Sequence, residues 1–187
     1  MPASTECDPE QPVVEAVLQG DRYAFDELCR RHSDWVRAVI FGVLCDRERI
    51  DDVAQQVWTT FWEQIGRLRN PSRWRPWLYR LARNAAVDAG RQGQRRKRAA
   101  ERVGAASPAE TVCPSPGDAA VRAEQHQAVA DAVQALPALY REPFVLRHVQ
   151  GWSYRQISEV MGLRTDTVET RLVRARRRLR EALRDKV

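Results

Sequence analysis

The 187-residue chain is 43% hydrophobic and 30% charged, with a formal net charge of +6 and a pI near 9.6. That apolar content suits one ordinary domain or two small ones and excludes wholesale disorder. No run approaches the ~20 apolar residues of a membrane span, and Glu6, Asp8 and Glu10 stand where a secretory signal would be positive. The chain therefore reads as cytoplasmic, and its basic excess points to a polyanionic partner, nucleic acid first.

Residues 1–12 hold three prolines and little hydrophobicity, and read as a loose tail. A helical block follows over 13–98 and contains five of the six tryptophans. Next is a linker, 99–122, centred on "GAASPAETVCPSPGD" (104–118), whose composition buries too little apolar surface to offset chain entropy. A second helical block, 123–187, completes the chain. The expected architecture is all-α: two small helical domains joined by a flexible linker. Cys7, Cys29, Cys45 and Cys113 form no C-x-x-C pair, and no histidine stands at zinc-ligand spacing from them. They read as reduced thiols; a redox switch is the sharper alternative, with Cys113 in the linker as its most exposed member. No metal or other cofactor is expected.

In the first block, Gly20-Asp21 signals a helix start, and Phe25, Leu28, Trp35, Val36, Val39, Ile40 and Val43 recur at three- and four-residue steps. A second helix carries Ile50, Val53, Ala54, Val57, Trp58, Phe61, Trp62 and Ile65 on one face and Asp52, Gln55, Gln56, Thr59 and Glu63 on the other. By pattern alone that second face is an ordinary solvated one. In the third, Pro76 sits where a helix can begin, and Trp77, Leu78, Leu81, Ala85 and Val87 form an apolar stripe. Around the stripe stand Arg73, Arg75, Arg80, Arg83, Arg91, Arg95, Arg96, Lys97 and Arg98. Cations neutralise phosphate and aromatics stack on bases, at about 1–3 kcal/mol per base. A solvated basic run, with Trp77 in the core, is the competing reading.

The second block divides into four helices. Leu136-Pro137 ends one, and Gly151 closes the next beyond Val149. Ser153 caps "YRQISEVM", and Gly162 supplies a left-handed turn before "TDTVETRLVRARRRLREAL". Two helices about a short glycine turn form a helix-turn-helix. On the last helix Val168, Leu172, Ala175, Leu179 and Leu183 share one stripe. Asp166, Thr170, Val173, Arg174 and Arg177 point away, flanked by Arg171 and Arg178. Such a helix enters the major groove, where arginine pairs with guanine or phosphate. A helical hairpin with a basic solvated tail is the bland alternative.

Taken in order, "GDRYAFDELCRRH", "DDVAQQVWTTFW", "WLYRLARNAAVD" and "LPALYREPFVLRHVQGWSYRQISEVMGLRTDTVETRLVRARRRL" resemble the extracytoplasmic-function (ECF) sigma factors of bacterial RNA polymerase, group 4 of the sigma-70 family, over roughly residues 15–185. The resemblance implies that 13–98 is sigma region 2 and 123–187 sigma region 4. It implies core-polymerase binding by Asp52, Gln55, Gln56 and Thr59 at the β′ clamp helices, with Gln56 where the family usually has an acid. It implies that Arg69, Asn70, Ser72, Arg73, Trp77, Arg80, Arg83 and Asn84 melt and read the −10 promoter element, Asn84 lying near the pocket for a flipped base. The −35 element falls to Arg147, Ser153, Tyr154, Arg155, Thr167, Glu169, Thr170, Arg171, Arg174, Arg177 and Arg178, in a domain that also docks on the β flap. Glu169 departs from the Lys or Arg of many members and suits a cytosine amine or a neighbouring arginine; Arg164 departs too. An anti-sigma factor and a monomeric free state are further expectations.

A free-standing helix-turn-helix repressor or activator is the alternative, and it leaves the basic segment 73–98 without a role. No catalytic residue is expected: His32, His126 and His148 lie far apart, and neither a phosphate-cradling glycine loop nor a nucleophile motif is present.

Overall fold

The computed structural model describes residues 9–44, 46–102 and 118–184, apart from the side chains of 97–102 and 118–126. Cys7, Cys45 and Cys113 lie outside the described residues, and with them the redox reading of Cys113. All regular structure among the described residues is helical. Helix α1 (Gln11–Leu18) has proline in its first turn and begins two residues inside the expected tail. Its last turn leads to Gly20 at φ 86°. Asp21 then accepts from the backbone N–H groups of Tyr23 and Ala24 at 2.8 and 3.2 Å, starting α2 (Arg22–Leu44) as the Gly-Asp signal implies. Helix α3 (Ile50–Gln64) carries Asp51 and Asp52 in its first turn, where the positive end of the helix dipole favours acids.

Two short 3₁₀ turns, Ile65–Arg67 and Pro71–Arg73, lead into α4 (Trp74–Arg102). The second half consists of α5 (Asp118–Ala135), α6 (Ala138–His148), α7 (Tyr154–Met161) and α8 (Thr165–Leu183). Helical backbone thus extends past residue 98 on one side and starts before residue 123 on the other.

The face of α3 is buried as its period requires: Val53, Ala54, Val57, Trp58, Phe61 and Ile65 are in the core. Phe25 of α2 meets Trp58, Phe61 and Trp62 at centroid distances of 4.9–6.3 Å. The buried line of α4 differs from the expected stripe. Trp74, Leu78, Ala82, Ala86 and Ala89 are buried, while Trp77, Leu81, Ala85 and Val87 are only half-buried. The inward line begins with the large Trp74 and Leu78 and continues with three alanines, whose small side chains leave room for the helices packed on α4. Trp74, two residues before the helix start expected at Pro76, is the first residue of α4 and wholly buried.

The core does not stop at the boundary between the halves. Leu146, Ile157, Val160, Val168 and Leu172 join the same apolar cluster as α1–α4. Trp152, before α7, lies 5.4 Å from Trp35 of α2. A satellite cluster of Ala132, Leu136, Ala175 and Leu179 fixes α5 to α8.

His32 is buried close to Glu10, the residue before α1. Its Nδ1 accepts from Trp35 Nε1 at 3.1 Å, its ring lies 4.8 Å from Trp74, and its Nε2 stands 3.7 Å from Glu10 Oε2. Burial lowers its pKa, and Arg75 and Arg31 push the same way against the attraction of Glu10. Below about pH 6.5 the unfolded chain takes up this proton more readily than the folded one. The stability from the neutral ring is therefore complete above that pH and lost as the pH falls. His148 is shifted in the same direction, chiefly by burial. Melting temperature should fall on acidification through this range, and that of His32→Gln, which keeps an acceptor for Trp35, should fall less.

Candidate nucleic-acid interface

The site residues expected from the sequence fall on three surfaces. On α3, Asp52, Gln55, Gln56 and Thr59 are all exposed opposite the buried face. The Thr59 hydroxyl donates back to Gln55 O at 3.0 Å, and Asp51 beside them pairs with Arg37 at 2.8 Å.

The second surface is the turn and the start of α4. Arg69, Asn70, Ser72 and Arg73 are exposed. Asn70 also shapes the backbone. Its side-chain oxygen accepts from Ser72 N at 3.0 Å and caps the 3₁₀ turn, with Pro71 at its first position. Arg75 lies over the buried Trp74 ring at 4.9 Å. Trp77, Arg80 and Asn84 follow at helical spacing on one face. Trp77 rests half-buried against Phe61, 5.2 Å between centroids, while Arg80 and Asn84 are exposed.

Arg83 behaves differently. It shares a row with Tyr79, one turn earlier, and that row faces the second half. Tyr79 Oη donates to Glu142 Oε2 at 2.7 Å and Arg83 Nε donates to the same oxygen at 3.0 Å. Glu142 is 4% exposed. Burial, then the Glu142 charge, raises the Tyr79 pKa, so the phenol stays a donor. The hydrogen bond to Glu142 raises the Arg83 pKa likewise.

The third surface is the helix-turn-helix. A complete capping box opens α7: Ser153 Oγ accepts from Gln156 N at 3.2 Å, and Gln156 Oε1 accepts from Ser153 N at 2.8 Å. Gly162 closes it at φ 65°. Arg147 donates to Trp152 O at 2.9 Å and lies over the Tyr154 ring at 5.3 Å, so it also holds the turn before α7. Arg155 is exposed and pairs with Glu159 at 3.0 Å. On α8, Val168, Leu172, Ala175 and Leu179 are buried and Leu183 half-buried, leaving Glu169, Thr170, Arg174, Arg177 and Arg178 outward. Thr167 and Arg171 are half-buried. Leu139, Tyr140, Thr170, Arg171 and Arg174 line one shallow depression. Arg177 approaches Glu181 at 3.7 Å, and Arg178 lies over Tyr140 at 5.4 Å.

Sequence reasoning missed Tyr79, Arg141 and Glu142, all buried where α6 meets the first half. A signal was present for α6: Ala138, Arg141, Glu142, Val145 and Leu146 have the spacing of a buried face with two charges in it. Cys29 is half-buried, its thiol pushed up to about 12 by burial and by Asp26, hence protonated and inert.

Fold and surfaces define an all-α protein with a helix-turn-helix at one end and a second basic and aromatic surface on the other half. The sigma-70 region 2 profile matches residues 28–96, and the sigma-70 region 4 profile matches 126–179. The RNA polymerase sigma-H factor of Pseudomonas aeruginosa is 32% identical over 93% of both chains. CarQ of Myxococcus xanthus, an RNA polymerase sigma factor, is 31% identical over 91% of this chain and 95% of its own. The ECF sigma-E factor of Haemophilus influenzae is 30% identical over 89% and 91%. Among solved structures, CnrH in complex with the cytosolic domain of CnrY superposes at a TM-score of 0.70 with 24% identity, over 96% of this chain and all of that one. The sigma factor RpoE of Bartonella quintana, bound to the anti-sigma factor NepR, does so at 0.60 with 22% identity, over 87% and 98%. The chain belongs to the ECF group of the sigma-70 family and is an RNA polymerase sigma factor. That family comprises initiation factors and not enzymes, and nothing in the comparisons supports a free-standing repressor or activator. No described helix is long and apolar enough to cross a membrane.

Loss of the α7 cap has a measurable cost. Ser153→Ala should destabilise the chain by about 1 kcal/mol in urea denaturation. Ser153→Asp, which can still cap, should retain most of that stability.

Proposed function

We propose a division of labour among the three surfaces in promoter-directed initiation. The α3 face of Asp52, Gln55, Gln56 and Thr59 docks on the β′ clamp helices of core polymerase. Arg69, Asn70, Ser72, Arg73, Trp77, Arg80, Arg83 and Asn84 melt and read the −10 element. Arg147, Ser153, Tyr154, Arg155 and the outward groups of α8, from Thr167 to Arg178, engage the −35 element, while the second half also binds the β flap. The observation that carries the reading is the rhythm of α8: a buried apolar stripe under an outward row of Thr170, Arg174, Arg177 and Arg178. Residues 13–98 and 123–187 act as regions 2 and 4, and 99–122 spans between them once both are seated on polymerase. Tethering supplies affinity through effective concentration, so either region alone binds promoter DNA poorly.

The protein works in the cytoplasm and is a monomer when free. CnrH and RpoE are both seen with partners, CnrY and the anti-sigma factor NepR. By the same logic an anti-sigma factor holds this chain until it is needed.

Run-off transcription with core polymerase on promoters randomised at both elements tests the assignment. Arg171→Ala and Arg174→Ala should each reduce −35-dependent initiation about tenfold or more, at about 1–3 kcal/mol per base-reading arginine; unchanged initiation from both contradicts it. Asp52→Ala with Gln55→Ala should weaken binding of labelled sigma to core polymerase while its melting curve stays in place. Core affinity equal to that of the native chain would move the interface elsewhere.

A further inference from the structure

Two adjacent charged residues of α6 connect the halves, and both are almost wholly buried: Arg141 is 7% and Glu142 4% exposed. Arg141 Nε donates to Gly42 O at 2.7 Å and Nη2 to Val43 O at 3.1 Å. Those carbonyls belong to the last turn of α2, which lacks intrahelical donors and carries the negative end of the dipole. Through Nη1, Arg141 also reaches Gln134 O and Leu136 O, each at 2.6 Å, at the end of α5. One guanidinium from the second half thus caps two helix ends, one of them in the first half. Glu142, next in sequence, takes Tyr79 and Arg83 of α4.

The approach is close. A Cβ placed on Gly42 would come within 3.3 Å of the Glu142 Cα, a backbone atom with no rotamer to yield.

We propose that Arg141 and Glu142 form a latch that keeps the free chain closed, with the Glu142 carboxylate occupying the Arg83 guanidinium in place of a nucleic-acid phosphate. The inference rests on the assignment of Arg83 to the −10 surface. Glu142 neutralises the charge that a strand's phosphate would use and holds the guanidinium through Nε, although the Arg83 side chain is still 44% exposed. Parting α6 from α2 and α4 frees it. The latch therefore couples separation of the halves to release of Arg83 on a single-strand-reading surface whose other charged and polar groups are already exposed, whereas the outward row of α8 is available in either state. Parting also leaves two buried charges to be solvated, which suits a bond made to open into water.

The test uses the free full-length chain. Gly42→Leu wedges the contact at a position of ordinary helical backbone, where leucine favours the helix more than glycine does. Glu142→Gln keeps the shape and removes the charge. Small-angle scattering should show a larger radius of gyration for both variants than for the native chain. Binding of a fluorescein-labelled random single-stranded oligonucleotide should tighten on the order of tenfold, because the competent fraction rises. Adding Arg83→Ala to Gly42→Leu should abolish the gain without reclosing the chain. An unchanged radius of gyration in both variants overturns the latch, whatever role the α4 surface has. Expansion without tighter binding overturns the gating of Arg83 and removes that residue from the −10 surface, a result separable from failure of initiation by the native chain with core polymerase.

Discussion

The structure depends on keeping two buried charges satisfied. Removing Arg141 and Glu142 from water costs several kcal/mol per ion, and the interior offsets this only if nearly every donor and lone pair finds a partner. Arg141 does so with four carbonyls from two helix ends, Glu142 with a phenol and a guanidinium. None of these bonds tolerates a slip, so α6 has one seating on α2 and α4. Apolar contacts alone, such as Trp35 on Trp152 or Val145 and Leu146 under α2, would allow several. Gly42 follows from the same constraint, because the helix backbones meet where a side chain would stand.

That seating gives the three surfaces different states in the free chain. The α3 face and the arginine row of α8 look outward, packed only from behind. On α4, Tyr79 is turned into the junction and Arg83, at its edge, is tied to Glu142. Under the proposed division of labour the halves must part to reach two promoter elements, and the core must stay intact when unbound. A junction whose shared apolar core also carries buried charges serves both needs. A wholly apolar junction would resist opening into water, while hydrated ions lessen that penalty.

Much of this was legible in the sequence. The α3 and α8 stripes, the Gly-Asp start of α2, the Ser153 cap and the Gly162 turn are local patterns, and each forms in the structure. Side-chain size misleads on the buried line of α4. Its inward face is built from alanines behind Trp74, and only the close approach of α2 and α3 selects it. The joining of the halves was not legible at all: partners 98 and 99 residues apart leave no periodicity. Several residues on candidate binding surfaces also hold the backbone in place. Asn70 caps a turn, Ser153 caps a helix and Arg147 holds the chain before α7. Motif matching assigns such positions to the ligand, and hydrogen bonds reveal the second duty.

The two helical halves, α1–α4 and α5–α8, form one folded unit when free. Urea unfolding of the native chain, followed by tryptophan fluorescence and far-ultraviolet circular dichroism together, tests this most directly. Five of the six tryptophans belong to the first half, while helix content reports on both. The account predicts one transition with coincident midpoints, as for a single cooperative unit. Two separated transitions, with helix lost before or after the tryptophan signal, would show that the halves fold independently and contradict it.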